Sequence, residues 1–321
     1  SVRGFAINPN NGNILYAGGV SGGIFKSTDA AATWTALDDF LPSLSVTSIL
    51  VNPNNPNIIY ASTGEGITGG QEFAGSSPGA GIFKSTDAGD TWELIESLDP
   101  NNLSDFYWIN DLAFDRDNPN RFYAVSQGLS QGSDGAGCGK LFRFTQGGDS
   151  VTQITNLPCL TDATAVYVNP NDRGNIYVGH SGGLSITNDT ANTWTLNSAI
   201  PSFPSDPGRV EVAMSISDED VVYALCSGTD VGGGVIAKST DKGISWTTVN
   251  SGLTIFDNSR ANAGGYHNTM SVDPENIDNL ILGGIHLWRS TNGGATVTKI
   301  SDGTAVSAHA DQHIIVAAKN Y

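Results

Sequence analysis

Histidines in the last part of the sequence are the residues best suited to bind a metal ion. In the segment His309-Ala-Asp-Gln-His313, residues 309, 311 and 313 point to one side of an extended chain, because side chains alternate along a strand. Two imidazoles and a carboxylate suit Zn²⁺ or another divalent transition metal, and His267 is the expected fourth ligand. The alternative is a hydrogen-bonded network in which Asp311 orients the histidines. No cofactor is certain from these residues; a divalent ion, Zn²⁺ or Ca²⁺, is the candidate.

The elements that must position these histidines belong to a repeat. Five segments share one pattern of polar, small and aromatic residues, and a degenerate sixth copy at 145–152 lies between the second and third. An internal period of roughly 40 to 60 residues is typical of a β-propeller or a solenoid. The five segments are 27–34, 85–92, 187–194, 239–246 and 290–297.

Each repeat contains four short runs of β-branched and aromatic residues. In the second repeat these runs are 48–53, 58–61, 81–84 and 91–95, bounded by Gly, Asn, Asp and Pro, which is typical of strands. Four antiparallel strands make one propeller blade. The sequence therefore predicts an all-β fold, a β-propeller whose blades lie at about 1–40, 41–98, 99–157, 158–199, 200–251 and 252–301.

A further blade is predicted to start within residues 302–321, with its inner strand at 312–318. All 321 residues are predicted to form a single propeller domain. Because the chain opens with an inner strand, it offers no spare outer strand to complete the last blade. We therefore expect this chain to be a fragment of a longer parent with seven or more blades.

The repeated motif has a structural explanation. Its Asp can accept backbone N–H bonds in the turn between the third and fourth strands, its Gly supplies a positive φ, and its Trp is expected to pack between blades. The motif resembles the Asp-box, or bacterial neuraminidase repeat, of sialidases, sortilin-type receptors and two-propeller xyloglucan hydrolases. In those families the Asp-box lies away from the active site. The resemblance therefore implies structural roles for Asp29, Trp34, Asp87, Trp92, Asp189, Trp194, Asp241, Trp246 and Asn292.

Composition disfavours several classes of partner. The formal net charge of −17 opposes binding to nucleic acid or to an anionic membrane. The sequence has no run of about 18 apolar residues that would span a bilayer as a helix, and no signal peptide is visible. The excess of Asn, Asp, Ser, Thr and Gly over Lys indicates a secreted or cell-surface protein.

The three cysteines divide into a candidate pair and a core residue. Cys138 and Cys159 flank the degenerate motif and are either bridged across that blade or two unpaired buried thiols. Cys226 lies within a predicted strand and is expected in the core.

Long connections concentrate at one end of the predicted blades. Between second and third strands they span 63–80, 126–140 and 227–234, and between blades they span 97–108, 199–209 and 251–266. Variable loops on one face of a rigid scaffold are where binding or catalysis usually occurs, although they could also be unselected surface loops. His180, His267, His286, His309 and His313 are placed at or near this end.

The same loops supply candidate acids and aromatic rings. The acids are Glu65, Glu72, Asp105, Asp111 and Asp134, and the aromatic residues are Phe73, Phe106, Tyr107, Trp108, Phe203, Phe256 and Tyr266. No spacing selects a catalytic pair, so solvated loop carboxylates are the alternative interpretation. Aromatic rings beside Asn and Asp suit sugar or peptide recognition, although Trp108 and Tyr266 could instead cap inner strands. The predicted binding residues are Glu65, Glu72, Trp108, Asp111 and Tyr266.

Three enzyme or assembly functions of related propellers are less well supported by the sequence than binding. A sialidase needs an arginine cluster and a Tyr/Glu pair, whereas the arginines here are scattered and no Phe-Arg-Ile-Pro segment occurs. The two-propeller xyloglucan hydrolases use two Asp carboxylates, and the segment 18–24 lacks the first-blade Asp expected ahead of a Gly-Gly turn. A photosystem assembly propeller is expected to carry a basic patch, which this acidic chain lacks.

The segments 266–268, 283–290 and 309–313 also resemble large secreted Asp-box proteins of Bacteroidetes, many of them exported by type IX secretion. That resemblance implies a bacterial, secreted parent with further domains. The sequence thus predicts a recognition propeller that binds glycan or protein through its long-loop face without inserting into a membrane. The alternative is a glycoside hydrolase that uses loop carboxylates.

Overall fold

Short strands separated by Gly, Asn and Asp turns form nearly all of the regular structure, as expected for runs of β-branched and aromatic residues. The computed structural model describes residues 1–37, 41–66, 77–100, 103–127, 138–157, 160–161, 163–180, 183–197, 200, 208–227, 233–256, 263–304, 308 and 311–317. The chain is all-β, with six four-stranded antiparallel sheets that are the blades of a β-propeller. It divides into two compact units, residues up to 166 (unit 1) and residues 167–317 (unit 2).

Unit 1 holds the first three blades. Blade 1 contains β1 (Val2–Ile7), β2 (Leu15–Gly19), β3 (Gly23–Ser27) and β4 (Thr35–Ala36). Blade 2 contains β5 (Val46–Val51), β6 (Ile59–Thr63), β7 (Ile82–Ser85) and β8 (Glu93–Leu94). Blade 3 contains β9 (Ile109–Phe114), β10 (Phe122–Ser126), β11 (Cys138–Thr145) and β12 (Ser150–Gln153), and β13 (Leu160–Thr161) pairs with β11.

Unit 2 holds the other three blades, although the first strand of blade 4 begins two residues before residue 167, where the unit starts. Blade 4 contains β14 (Ala165–Asn169), β15 (Asp172–His180), β16 (Gly183–Thr187) and β17 (Thr195–Asn197). Blade 5 contains β18 (Val210–Ser215), β19 (Asp218–Cys226), β20 (Gly234–Ser239) and β21 (Thr247–Leu253). Blade 6 contains β22 (Thr269–Val272), β23 (Leu280–Gly283), β24 (Leu287–Ser290) and β25 (Thr298–Lys299), preceded by a short helix α1 (Ala263–Tyr266).

Apolar side chains fill the space between successive blades of each unit. In unit 1 one cluster joins blades 1 and 2 and another joins blades 2 and 3; in unit 2 the clusters join blades 4 and 5 and blades 5 and 6. Cys226 is buried in the cluster between blades 4 and 5, as the sequence predicted. Cys159 and the side chain of Cys138 lie outside the described residues, so their pairing stays a prediction.

The turn between the third and fourth strands has the same geometry in each well-formed copy. In blade 2, Ser85 Oγ donates to Asp87 Oδ1 at 2.7 Å and accepts from Gly89 N at 2.8 Å. Asp87 also accepts from Thr91 N at 2.9 Å and from Thr91 Oγ1 at 2.6 Å. These bonds explain the spacing of the motif, because the two side chains replace the backbone partners that the turn lacks. The turns around Asp29, Asp189, Asp241 and Asn292 repeat this pattern.

The motif tryptophans differ in their surroundings. Trp92 packs against the core between blades 1 and 2, and Trp246, which is 8% exposed, lies in the core between blades 4 and 5. Trp34 is 38% exposed and contacts Phe5 of its own blade, with ring centroids 6.3 Å apart. Packing between blades, expected for every copy, is therefore seen at Trp92 and Trp246.

Buried tyrosines link several of these turns to the preceding blade. Tyr16 and Tyr60, both on second strands, donate their hydroxyls to Ala88 O at 3.1 Å and to Gly147 O at 2.9 Å in the next blade. Burial raises the pKa of Tyr60 to about 12, so the hydroxyl stays protonated and keeps donating. Gly147 belongs to the degenerate sixth copy, which has therefore kept the carbonyl that the preceding blade uses.

The predicted first strand of a further blade is not formed. Residues 311–317 are described but are not in a strand. The segment bonds to blade 6 through Asp311 N to Ile285 O at 2.9 Å and Gln312 N to Gly284 O at 2.8 Å. Asp311 has a φ of 75°, which interrupts extended backbone at the start of the segment.

Candidate functional site

Antiparallel pairing gives every blade two distinct ends. The turn end carries the connections from first to second and from third to fourth strands. The connection end carries the links from second to third strands and from blade to blade. In unit 1 the described connection end includes residues 20–22, 41–45, 64–66, 77–81, 95–100, 103–108, 126–127, 154–157 and 163–164; in unit 2 it includes residues 208–209, 227, 254–256, 263–268, 284–286, 300–304 and 311–317. The predicted binding residues that the structure describes lie at or near this end.

An aromatic pair stands out at the connection end of unit 1. Tyr107 is 40% exposed, and its ring meets that of Trp108 edge-on with centroids 6.1 Å apart. The main chain of both residues is fixed, since Gly79 N donates to Tyr107 O at 2.7 Å and Gln127 N donates to Trp108 O at 2.9 Å. The pair therefore presents an exposed tyrosine ring, packed on a half-buried tryptophan, from an anchored backbone.

Glycines make the anchoring possible. Gly64 has a φ of 97°, and a Cβ there would lie 1.9 Å from Tyr107 O. A Cβ on Gly79 would lie 2.3 Å from Thr63 O. Any side chain at either position would displace the backbone that holds the aromatic pair.

The described candidate acids of this end are engaged in structural contacts. Glu65 Oε1 accepts from Arg3 Nε at 2.9 Å, with both side chains buried. Asp111 accepts from Ser48 Oγ at 3.1 Å, Leu112 N at 2.8 Å and Val166 N at 3.1 Å.

Asp105 is exposed and pairs with Lys140 Nζ at 2.6 Å. Two of the predicted acids, Glu72 and Asp134, lie outside the described residues, as do Phe73 and Phe203. Phe106 and Phe256, two of the predicted loop aromatics, are instead buried in the cores of their units.

In unit 2, four predicted residues come together. The ring of Tyr266 meets the rings of His267 and His313 edge-on, with centroids 4.8 and 4.7 Å away. His267 Nε2 lies 3.4 Å from Asp311 Oδ1, and the two imidazole centroids are 5.2 Å apart. His309 lies outside the described residues. Among the residues described, no three His, Cys, Asp or Glu side chains already surround a common ligand position.

The other histidines have different environments. His180, at the end of β15, is buried, and its Nε2 lies 3.1 Å from Ser185 Oγ. Burial lowers the pKa of His180 to about 4, because the apolar surroundings disfavour the charged imidazolium. His286, half-buried, precedes β24.

Sequence reasoning missed a set of buried polar residues at the start of the first strands. In unit 1 a register shift leaves Arg3, Thr47 and Asn110 outside the ladder. Each then contacts the chain that follows: Arg3 binds Glu65, Thr47 Oγ1 donates to Ile109 O, and Asn110 Nδ2 donates to Ala163 O. The sequence did contain an indication of these positions, because each of the three residues directly precedes the aligned apolar run of its repeat.

Unit 2 has its own buried ion pair, which sequence reasoning also missed. Arg209 Nη2 contacts Glu211 Oε1, and Tyr167 Oη donates to Glu211 Oε2. Both charged side chains are buried. Arg209 directly precedes β18 and Glu211 lies within it. No residue of the same type occurs at the matching positions of the other repeats, so the repeat pattern did not point to this pair.

Comparison with known proteins gives the fold a context. No protein-family model matches the chain. A curated xyloglucanase of Hypocrea jecorina (strain QM6a) is 31% identical over 105 residues, which make up 30% of this chain and 12% of the relative.

Solved structures cover nearly all of the chain. The GH74 xyloglucanase from Xanthomonas campestris matches with a TM-score of 0.66 and 19% identity, over 95% of this chain and 46% of that one. The extracellular domain of a putative one-component system from B. thetaiotaomicron matches with a TM-score of 0.64 and 14% identity, over 97% of this chain and 35% of that one. This chain spans less than half the length of each of these relatives. At these identities the solved structures establish the fold alone.

No helix in the described part of the chain is long and apolar enough to cross a membrane.

Proposed function

We propose that this chain is a secreted or cell-surface recognition propeller that binds a neutral glycan at the Tyr107–Trp108 pair. The observation that carries the proposal is an aromatic pair on an anchored backbone at the connection end of unit 1, with Tyr107 exposed and Trp108 half-buried behind it. Aromatic faces flanked by polar groups bind the apolar faces of sugar rings while the polar groups bind hydroxyls.

A neutral glycan is favoured over an acidic one by charge. The chain carries a formal net charge of −17, which repels polyanionic ligands over the distance of the Debye length. Near the aromatic pair in sequence, Asp105 pairs with Lys140 Nζ at 2.6 Å and so compensates the charge of that lysine. The identity shared with a xyloglucanase makes xyloglucan the first polysaccharide to test.

Binding is favoured over hydrolysis by the contacts of the acids. Glycoside hydrolysis uses two carboxyl groups that face the scissile bond, one of them free to donate a proton. Glu65 is neutralised by Arg3, and Asp111 holds together Ser48, Leu112 and Val166. These contacts indicate structural roles for the two carboxylates. A hydrolase remains the second candidate because of the xyloglucanase relative.

The secreted or cell-surface location is part of the same proposal. It is supported by composition and by likeness to a domain described as extracellular. A bacterial source, type IX export and a longer parent chain stay predictions, as does a protein ligand in place of a glycan.

Calorimetric titration with xyloglucan oligosaccharides and with cellotetraose tests the proposal. Replacing Tyr107 by Ala is expected to weaken binding about tenfold, the equivalent of about 1.4 kcal/mol, without changing the melting temperature. Trp34→Ala is the matched control, because Trp34 is about as exposed as Tyr107 and lies at the turn end. Equal affinities for wild type and Tyr107→Ala would overturn the assignment of the site.

A reducing-end assay on xyloglucan separates the two candidate functions. Binding without release of reducing ends supports recognition. Release that disappears in Asp111→Asn while binding persists would establish hydrolysis instead.

A further inference from the structure

We propose that His267, Asp311 and His313 in unit 2 form a binding site for a divalent transition metal, with Zn²⁺ as the preferred ion. The site goes beyond the proposed glycan recognition and does not depend on it. Its three side chains come from the segment before β22 and from the segment after blade 6.

The spacing of two of the ligand atoms fits a tetrahedral ion. Ligand atoms at about 2.0–2.1 Å from a tetrahedral Zn²⁺ lie about 3.3–3.4 Å from each other. His267 Nε2 and Asp311 Oδ1 are 3.4 Å apart. The imidazole and the carboxylate therefore already stand at the separation of two ligands on one ion.

The two imidazole rings are also spaced as co-ligands. Rings that bind one tetrahedral ion through their nitrogens have centroids about 5 Å apart. The centroids of His267 and His313 are 5.2 Å apart, and Tyr266 packs edge-on against both rings. Ring packing therefore holds the two histidines near the required separation before any ion arrives.

One hydrogen bond selects the tautomer that a metal ligand needs. His313 Nδ1 lies 3.2 Å from Tyr266 O. Because a carbonyl oxygen only accepts, Nδ1 must carry the proton, which leaves the Nε2 lone pair of the neutral ring for a metal. A histidine that donates its second nitrogen to a backbone carbonyl is the usual outer-shell arrangement of metal sites.

Exposure differs among the three residues in a way that suits an ion entering from solvent. His313 is 9% exposed, whereas the Asp311 side chain is 47% exposed. The left-handed backbone of Asp311 and its N–H bond to Ile285 O fix the point from which the carboxylate extends.

The site is prearranged rather than complete. Within the described residues the three side chains do not yet surround one point at ligand distance, so small side-chain rotations must complete the site when the ion binds. Two imidazoles and one carboxylate select Zn²⁺ over Ca²⁺, which prefers six to eight oxygen ligands. One coordination position stays available for water or for another ligand.

The test uses the whole chain, stripped of metal by a chelator and titrated with ZnCl₂ in a calorimeter. We expect about one Zn²⁺ per chain and a higher melting temperature in its presence, because the ion binds the folded state. His267→Ala, His313→Ala and Asp311→Asn should each weaken Zn²⁺ binding by at least about tenfold. His286→Ala is the matched control and should bind as wild type does.

Two results would overturn the proposal. One is an unchanged melting temperature together with no heat of binding at micromolar to millimolar ZnCl₂. The other is wild-type affinity in all three variants, which would place the ion elsewhere. Asp311→Asn keeps the test decisive if the histidine variants fail to fold, because Asp311 is half-exposed. A lower melting temperature in Asp311→Asn that Zn²⁺ does not influence would assign the cluster to a hydrogen-bonded network.

Discussion

The turn end and the connection end of the blades are stabilised by different means. At the turn end, hydroxyl side chains and one Asp carboxylate make the same hydrogen bonds in successive repeats, as around Asp87 and Asp241. At the connection end the structure uses buried charges and side chains that change from blade to blade, such as Arg3, Thr47 and Asn110. The turn end is thus a repeated local structure. The residues of the connection end differ from blade to blade, so this end can carry a specific binding site.

The largest effect is expected from the buried charges of the connection end. Glu65→Ala leaves the Arg3 guanidinium buried without its carboxylate, which should lower the free energy of unfolding by about 3–5 kcal/mol. Urea denaturation measures this loss. The double variant Arg3→Met, Glu65→Leu removes both charges and should lose much less. If Glu65→Ala lowered the free energy of unfolding by less than about 1 kcal/mol, buried charges would not be what stabilises the connection end.

Acidification should weaken the connection end before the turn end. The folded-state pKa of His180 is lowered from 6.5 to about 4, so the unfolded chain binds the proton more readily. Stability from the neutral ring is therefore complete above pH 6.5 and is lost as pH falls towards 4, by about 3 kcal/mol in all. Thermal melts from pH 7 to pH 4 measure it, and His180→Gln should flatten this part of the profile.

The turn end should respond in a lower pH range. Hydrogen bonds from Thr91 and Thr193 lower the pKa of Asp87 and of Asp189 from 3.8 to about 2. A depressed carboxyl pKa contributes stability above pH 3.8 and loses it as pH falls towards 2. An Asp87→Asn variant that kept the wild-type pH profile below pH 4 would contradict this.

A smaller effect is expected from one hydroxyl of the repeated turn. Ser85→Ala removes the acceptor of the buried Gly89 N–H, which should lower the free energy of unfolding by about 2 kcal/mol. Thr86→Ala in the same turn is the control, because Thr86 is exposed and should change stability by no more than about 0.5 kcal/mol. Equal urea midpoints for the two variants would argue against a role for the Ser85 hydroxyl.

The smallest effect is expected from the tyrosine link between blades. Tyr60→Phe deletes the hydroxyl bound to Gly147 O, while Lys84 Nζ still donates to the same oxygen at 2.9 Å. The loss should be about 1 kcal/mol. Tyr16→Phe should behave alike, because Lys26 Nζ likewise retains Ala88 O at 2.8 Å. A much larger loss in either variant would show that the lysine does not compensate.

The regular part of the molecule followed from local sequence patterns. Turn chemistry and alternating apolar runs predicted six four-stranded blades, because each pattern acts over a few residues. The strand expected at residues 312–318 did not form in its described part, residues 312–317, although its apolar run matches the others. A run forms a strand only when a neighbouring strand pairs with it along its length, and this segment has two backbone bonds to blade 6 at its start.

The candidate site was predictable in part. Tyr266, His267, Asp311 and His313 were named from the sequence, and the structure brings them together. Glu65 was also named, but as a loop carboxylate, because its buried partner Arg3 lies 62 positions away. Contacts between distant residues depend on how blades pack, which no local pattern contains. The anchoring of Tyr107 by Gly64 and Gly79 escaped prediction for the same reason.

The tyrosine links give the repeat array a direction. Tyr16, Tyr60 and Tyr177 each donate a hydroxyl to the turn of the blade after their own. Deleting a following blade removes the acceptor of a tyrosine and a lysine that stay behind, whereas deleting a preceding blade uncovers the turn carbonyl that accepted from them. Shortened versions of the array should therefore tolerate loss from one side better than from the other. Duplication of blade 2 would preserve its links, because the new copy brings both the Tyr60 donor and the Ala88 acceptor.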